Sequence, residues 1–456
     1  MVIDLNSKKT VLTSLCLIVG LSACNKASDD TETSHSHNDE LVTAVVKNDA
    51  DIAYAVYSDS VILAKNLQQT LSEFIANPTA QGLQQTKAAW LAAREPYGQS
   101  EVYRFRMGPI DILREDGTLG SDGEGLEGRI NAWPLGEALI DYIAPSIDGN
   151  AGPESPANAL TGNLITNVDA YPEINLELLK TYFEHGEDER NVTTGYHAIE
   201  FLLWGQDLNK DGTAGLVRDT SPGQRPLTDF IAKEGMCTSG DTLAAAHICQ
   251  RRGQYLLAAT ELLIQDLSVI TESWHPERGS FYQSYVSAPN NALSAMFESM
   301  GRLSFGELAG ERINIAVTTD SQEDEHSCFS DNTHRDIFLN AQGIQNTYLG
   351  KYTRIDGSVI EGTSIYDLLN ESGHSDIANI LLQQLQTTMQ SAAVISNKGE
   401  NNIPFDVLVQ EGVTQPDINA MIKNLTIQTD GIERAINALN LRTDNLRQDT
   451  EQDLSL

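Results

Sequence analysis

Apolar residues recur at spacings of three and four along most of the chain, which is the period of one face of an α-helix. The segments with this pattern are 41–75, 83–105, 176–208, 242–273, 290–315, 363–391 and 417–441. Alternating apolar and polar residues bounded by tight Asn-Gly turns, the pattern of paired strands, are missing from the sequence. The pattern therefore predicts an all-α protein whose long helices pack as antiparallel bundles.

The first residues have a different pattern. Two lysines precede a short apolar run at 11–21, and small residues follow it up to Cys24. This order predicts a secretory signal peptide, and the run is too short to span a bilayer permanently. Leu21-Ser22-Ala23-Cys24 also looks like a bacterial lipobox, which makes residues 1–23 the signal and Cys24 the lipidated residue. The alternative is an ordinary signal peptide followed by a chance cysteine.

Residues 24–40 are mostly Ser, Thr, Asp, Glu and His, and this composition predicts a disordered tether. Asn25 rather than aspartate follows Cys24, which by analogy indicates sorting to the outer membrane or the periplasmic face of the envelope. The chain would then meet a membrane through its lipid anchor only.

Charge excludes one class of partner. The 456 residues carry a formal net charge of −34, and a surface this acidic repels nucleic acid.

Of the five cysteines, Cys237 and Cys249 flank a short segment that begins with a Ser-Gly turn, so we expect a local disulfide between them. Cys328 is then unpaired.

The segment 195–207 places His197 and Glu200 three positions apart in an otherwise apolar helical stretch. At that spacing both side chains lie on one face of a helix. Burial of a carboxylate is costly unless a histidine, an arginine or a metal ion pairs with it. Chance supplies about 0.6 His-x-x-Glu matches in such a chain, and His37 with Glu40 is a second match. We predict a metal site at the apolar copy; the alternative is a buried hydrogen-bonded pair.

The full block, Gly-Tyr-His-Ala-Ile-Glu-Phe-Leu-Leu-Trp-Gly-Gln-Asp, resembles the signature of imelysin-like proteins. This bacterial envelope family includes iron-regulated proteins and sequences classed as metallopeptidases. Other stretches that agree with the resemblance are 93–101, 108–111, 131–135 and 303–312. The resemblance implies two packed helical-bundle domains with a site at their interface. We place the domain boundary near residue 230, which gives bundles at 41–230 and 231–456. Gly195 would let another backbone approach closely.

Trp90, Arg94, Tyr97 and Glu101 recur at spacings of four, three and four, so they share one stripe of a helix. As a bare pattern the stripe is equally well a buried ion pair that sets the helix register. The resemblance implies a site wall instead, with Glu101 as a further metal ligand and Arg94 as its positioning partner. The predicted cofactor-binding residues are Arg94, Tyr97, Asp111, Trp133, Arg302, Ser304 and Glu307.

Two polar stretches are interpreted as loops. Glu325, His326, Asp331 and His334 are by default exposed, although His334 is considered as a ligand from the second domain. The stretch 207–212 has the opening spacing of an EF-hand, but an arginine occupies the twelfth position, where a bidentate glutamate is required. A turn stabilised by Asx side chains is the preferred interpretation.

A metal held by His197, Glu200 and Glu101 would have mixed nitrogen and oxygen ligands, which suit a divalent or trivalent ion such as iron, manganese or zinc. The resemblance favours iron, with zinc as the alternative. It implies a lipid-anchored envelope protein that binds iron or a small iron-linked ligand and serves uptake with other envelope proteins. The alternatives are a metallopeptidase, which needs three ligands, a water and a general base, and a structural scaffold.

Overall fold

The computed structural model describes residues 29–116, 118–120, 125–143, 162–212, 217–448 and 454, with side chains from residue 38 onward. The predicted signal peptide and Cys24 lie outside these residues. Within them the regular secondary structure is helical apart from two short hairpins and an isolated bridge between Leu113 and Leu119, so the predicted all-α class is confirmed. None of the described helices combines the length and the apolar character that a membrane crossing requires.

The helices of the first half are α1 (Asp29–Ala76), α2 (Ala80–Ser100), α3 (Pro109–Ile112), α4 (Glu127–Asn131), α5 (Glu137–Ile140), α6 (Leu176–Tyr182) and α7 (Gly195–Trp204). Those of the second half are α8 (Ala246–Ser273), α9 (Ser280–Ser287), α10 (Pro289–Arg302), α11 (Ile315–Thr319), α12 (Thr333–Leu349), α13 (Ile365–Glu371), α14 (Ser375–Glu400), α15 (Phe405–Val409) and α16 (Pro416–Ala438). A π-helix (Leu303–Asn314) continues α10, and 3-10 turns occupy Glu101–Tyr103, Leu227–Phe230 and Gly412–Thr414.

Each hairpin is antiparallel. Strand β1 (Thr238–Ser239) pairs with β2 (Thr242–Leu243), and β3 (Lys351–Thr353) pairs with β4 (Val359–Glu361). The first hairpin lies between Cys237 and Cys249, which form a disulfide with an S–S distance of 2.02 Å. This is the pair that the sequence led us to expect. Cys328 is free and buried.

Four predicted segments differ from the structure. The single helix predicted at 363–391 is two helices, α13 and α14, and Gly373 between them has φ 83°. Residues 29–40 belong to α1 rather than to a disordered tether, because a helix already held by packing extends at little cost. The single helix predicted at 176–208 is two helices, since Glu184, Gly186 and Glu187 between them have φ values of 50°, 77° and 62°. Residues in this left-handed region cannot continue a right-handed helix.

Helix α12 begins inside the stretch predicted to be an exposed loop. Its buried face includes Asp336, Asn340 and Thr347 as well as apolar residues. A helix whose buried face is partly polar has a weak apolar period, which explains why the sequence pattern did not reveal it.

The apolar side chains form two cores. The larger contains Val46, Trp90, Phe201 and Leu263 from α1, α2, α7 and α8. The smaller is built by the π-helix, α11, α12, α14, α15 and α16. Helix α8 packs on α1 and α7 although it lies beyond the predicted boundary near residue 230, and α2 packs on α12. The boundary itself stays a prediction.

The first turn of α7 is fixed by a close backbone approach. Gly195 has φ +78°, and a Cβ there would overlap the carbonyl groups of Arg129 and Ile130 at the end of α4. The approach expected from the glycine is confirmed. It places the segment after α4 beside His197 on α7.

Candidate functional site

His197 and Glu200 face each other on α7, one helical turn apart. Nδ1 of His197 lies 2.8 Å from Oε2 of Glu200, and both side chains are buried. The other carboxylate oxygen accepts hydrogen bonds from the backbone N–H of Ser330 at 2.9 Å and from its hydroxyl at 2.6 Å. The structure therefore brings the two predicted residues together and adds Ser330, from the segment before α12, as a third partner.

His197 also has a ring nitrogen without a partner. Its Nε2 is buried and makes no hydrogen bond. The residue lines a small cavity together with Trp133, Glu323, Glu325, His326 and Cys328, among others. The space for the centre of a water molecule in this cavity is about 10 Å³, which is room for about one water.

Two aromatic contacts complete the wall of the cavity. The ring of His326 lies 4.9 Å from that of His197 and 4.2 Å from that of Trp133, measured between centroids. The guanidinium of Arg312 lies 5.1 Å from the Trp133 ring. The predicted site residue Trp133 therefore does lie beside His197.

Burial and nearby charges set the protonation of the pair. Burial lowers the pKa of His197 well below its usual value, and the positive charges of Arg94 and Arg312 lower it further. Burial raises the pKa of Glu200 to about 8, although the hydrogen bonds from Ser330 oppose the shift. His197 is therefore neutral near pH 7, and neutral imidazole is the form that binds metal ions.

Arg94, predicted as the positioning partner of Glu101, is connected to it through Asn131. Arg94 donates to Oδ1 of Asp336 at 2.9 Å and to Oδ1 of Asn131 at 2.5 Å. The Asn131 amide donates to Oε1 of Glu101 at 2.8 Å and lies 3.1 Å from Nε2 of His326. Asn131 therefore joins the predicted stripe on α2 to the cavity.

Glu101 and Glu307 share two arginines. Arg312 donates to Glu101 at 3.0 Å and to Glu307 at 2.8 Å, and Arg104 donates to Glu307 at 2.8 Å. Burial opposes ionisation of Glu307, but Arg104 and Arg312 outweigh it and lower its pKa to about 2. Both carboxylates are thus already compensated by positive charge.

The predicted ligand set of His197, Glu200 and Glu101 is not assembled. Within the part of the chain that the structure describes, three potential ligand atoms come within 4.8 Å of one another only in a different, all-aspartate group. Glu101 is held instead by Arg312 and by Asn131, and a buried carboxylate paired in this way is costly to remove from its partners.

Two other predicted residues of the first half support the surrounding structure. Tyr97 packs on Tyr196, with the Arg94 guanidinium 5.5 Å from its ring. Asp111 accepts hydrogen bonds from the backbone N–H groups of Arg106 and Gly108 at 3.2 and 3.1 Å. Asp111 therefore ties its own loop together and is not among the residues lining the cavity.

Arg302 and Ser304 also lie away from the cavity. The Arg302 guanidinium lies 4.7 Å from the ring of Phe105 and 3.6 Å from Glu298. The Ser304 hydroxyl donates to the carbonyl of Met300 at 2.6 Å and accepts from Gln428 at 2.8 Å. Of the predicted residues from the second half, Glu307 is the one that joins the network around Glu101.

The stretch predicted to be an exposed loop is folded inward. Glu325 and His326 are each only 2% exposed. His334 lies beside the backbone of Asp331, 2.7 Å from its carbonyl oxygen, so His326 and not His334 is the histidine next to His197. The sequence missed His326, Ser330 and Asp336 as site residues because tertiary contacts, and no local pattern, bring them to α7.

A wider groove opens on the other side of Ser330. Its volume is about 610 Å³, and Lys87, Trp204 and Gln224 are among its lining residues. The Lys87 ammonium lies 4.9 Å from the Trp204 ring centroid. Burial, with a contribution from Arg225, lowers the pKa of Lys87 to about 8, so the lysine remains largely cationic at neutral pH.

Comparison with known proteins gives a consistent set of matches. Residues 53–436 match the family model described as Imelysin (peptidase M75). Iron-regulated protein A of Synechococcus elongatus is 24% identical over 349 residues, which is 75% of this chain and 72% of that protein.

Two solved structures share the fold. One is described as an iron-regulated protein A precursor from Parabacteroides distasonis ATCC 8503, with a TM-score of 0.59, 16% identity, and coverage of 88% of this chain and 95% of that one. The other is an imelysin-like protein from Psychrobacter arcticum 273-4, with a TM-score of 0.54, 14% identity, and coverage of 91% and 98%.

Proposed function

This chain belongs to the imelysin family, and we propose that it binds a metal ion, with iron favoured, through His197 and serves iron uptake at the cell envelope. One observation carries the proposal. His197 lines a cavity, and its Nε2 atom is buried without a hydrogen-bond partner. A buried ring nitrogen without a partner costs free energy unless a ligand completes it.

Glu200 acts in this proposal as a positioning residue. Its contact with Nδ1 fixes the orientation of the imidazole ring, as carboxylates commonly do behind metal-bound histidines. Ser330 holds Glu200 in turn. His197 supplies the nitrogen ligand, and Glu323, which lines the same cavity, offers an oxygen donor. Mixed nitrogen and oxygen donors suit iron, with manganese and zinc as competitors.

The preference for iron has two supports. A relative is named for its regulation by iron. The groove beyond Ser330 has the size of a small-molecule site and offers Lys87 as a cation, which suits iron carried by an anionic chelator. The lipobox at Cys24 supports an envelope location, with the chain anchored by lipid at the outer membrane or the periplasmic face.

The test is the metal content of the full chain purified without chelator and then exposed to ferrous iron. We expect His197→Gln to lose most of the bound iron, since glutamine keeps a polar group beside Glu200 but is a poor ligand. His185→Ala removes an exposed histidine and should retain the wild-type content. Circular dichroism confirms that both variants fold.

Unchanged iron content in a folded His197→Gln protein would contradict the proposal and favour a purely structural pair. Cleavage of an unfolded protein substrate that is lost in the same variant would instead indicate a peptidase. The cavity beside His197 has room for about one water, so we expect no cleavage.

A further inference from the structure

A separate group of carboxylates converges near the cavity. Asp207 follows α7, Asp331 precedes α12 and Asp406 lies in α15, and one oxygen of each lies within 4.8 Å of the others. Asp406 is 3% exposed, and its Oδ1 has no hydrogen-bond partner. Three like charges held this close repel one another unless a cation or protons compensate them.

A fourth carboxylate, that of Glu325, is also buried and incompletely paired. Glu325 is 2% exposed, and its Oε1 is also buried without a hydrogen-bond partner. Burial raises the pKa of Glu325 well above its usual value, and the charges of Asp406 and Asp331 raise it further. The charges of the aspartates thus act on Glu325, which adds a further acidic group to this buried region.

The polar groups around the aspartates do not balance this charge. Arg218 donates to the backbone carbonyl of Asp406 at 2.8 Å, but it also pairs with Asp320 at 2.9 Å. The amide of Gln322 donates to Asp207 and brings no charge. Negative charge thus exceeds positive charge in this buried region.

We propose that Asp207, Asp331 and Asp406 bind a hard divalent cation, with Ca²⁺ favoured. The donors are all oxygen, which excludes the soft metals. Ca²⁺ takes about six to eight oxygen ligands, whereas Mg²⁺ keeps several waters and is usually bound by one or two carboxylates, so three converging aspartates favour Ca²⁺. The site is assembled by tertiary contacts and does not use an EF-hand loop.

The cation stabilises the segment that presents the His197 site. Asp331 follows Ser330, which holds Glu200, and Glu325 precedes His326 in the cavity wall. A cation joining Asp331 to Asp207 and Asp406 fixes the Asp331 end of this segment against α15 and the residues that follow α7. The proposal does not rest on iron binding at His197.

The experiment is thermal unfolding and titration calorimetry of the full chain after chelator treatment, with Ca²⁺ added and Mg²⁺ as the comparison. We expect Ca²⁺ to raise the wild-type unfolding midpoint by about 5 °C at saturating concentration. Asp406→Asn should abolish both the shift and the calorimetric binding. Asp356→Asn, an exposed substitution, and His197→Gln should retain both.

Asp406→Asn gives a second readout that does not depend on binding. In chelator at pH 8 its unfolding midpoint should lie above that of wild type, because one repelling charge is gone. A wild-type chain that shows no response to Ca²⁺ would overturn the proposal. So would an Asp406→Asn protein that keeps the response, or one that is less stable than wild type in chelator.

Discussion

Two buried polar clusters in this protein contain the same kind of side chain and differ in what surrounds it. In the arginine network, Glu101 and Glu307 contact Arg312, and the pKa of Glu307 falls to about 2 because Arg104 and Arg312 outweigh burial. In the aspartate group, burial and the charge of Asp406 raise the pKa of Asp331 to about 8.

The comparison separates structural acids from candidate ligands. A buried carboxylate that contacts a guanidinium is already neutralised, and removing either partner leaves an unpaired buried charge. A buried carboxylate that faces other carboxylates still needs a cation or a proton. Replacing a carboxylate by a neutral amide should therefore lower the free energy of unfolding in the arginine network and raise it in the aspartate group. Three measurements test that difference.

The largest effect is expected for Arg312→Leu. This change removes one positive charge from beside the buried carboxylates of Glu101 and Glu307. Arg312 itself is only 1% exposed, so water cannot replace it. We expect a loss of about 3–5 kcal/mol in the free energy of unfolding, measured by urea denaturation. The control is Arg278→Leu, an exposed arginine paired with Glu272, whose urea midpoint should stay at the wild-type value. If Arg312→Leu and Arg278→Leu had the same urea midpoint, the arginine network would not differ in energy from an exposed ion pair, and the distinction between the two clusters would fail.

A smaller effect is expected from acid. The Glu307 pKa is lowered from 4.5 to about 2, so its contribution is complete above pH 4.5 and is lost as the pH falls through 2. The shift corresponds to about 3 kcal/mol, of which about 1.4 kcal/mol remains at pH 3. The urea stability difference between wild type and Glu307→Gln should therefore shrink between pH 6 and pH 3. A constant difference would show that charge on Glu307 is unimportant.

The smallest effect has the opposite sign. Glu325→Gln removes a carboxylate beside Asp331 and Asp406, so in chelator at pH 8 it should stabilise the chain by on the order of 1 kcal/mol. The matched substitution Glu101→Gln should destabilise it by about 1–3 kcal/mol, because a charge-assisted hydrogen bond is lost. Urea denaturation of the two variants side by side measures both signs. Destabilisation by both would mean that the two clusters are energetically alike.

The helical class and much of the helix order were predictable because apolar spacing is local. Helix α12 was not, since its buried face includes Asp336 and Asn340. The polar stretch before it looked exposed, yet His326 is buried there because Asn131 reaches its ring and Trp133 packs against it.

The sequence alone determined that His197 and Glu200 share one face of a helix, since their spacing fixes this wherever the helix packs. It also determined which residue types were available to bind a cation. Only the tertiary structure decided which carboxylates meet arginines and which meet each other. That choice depends on contacts between segments more than 100 residues apart, such as Glu101 with Arg312 and Asp207 with Asp331 and Asp406. Electrostatic free energy depends on distances in space, which a linear pattern does not contain.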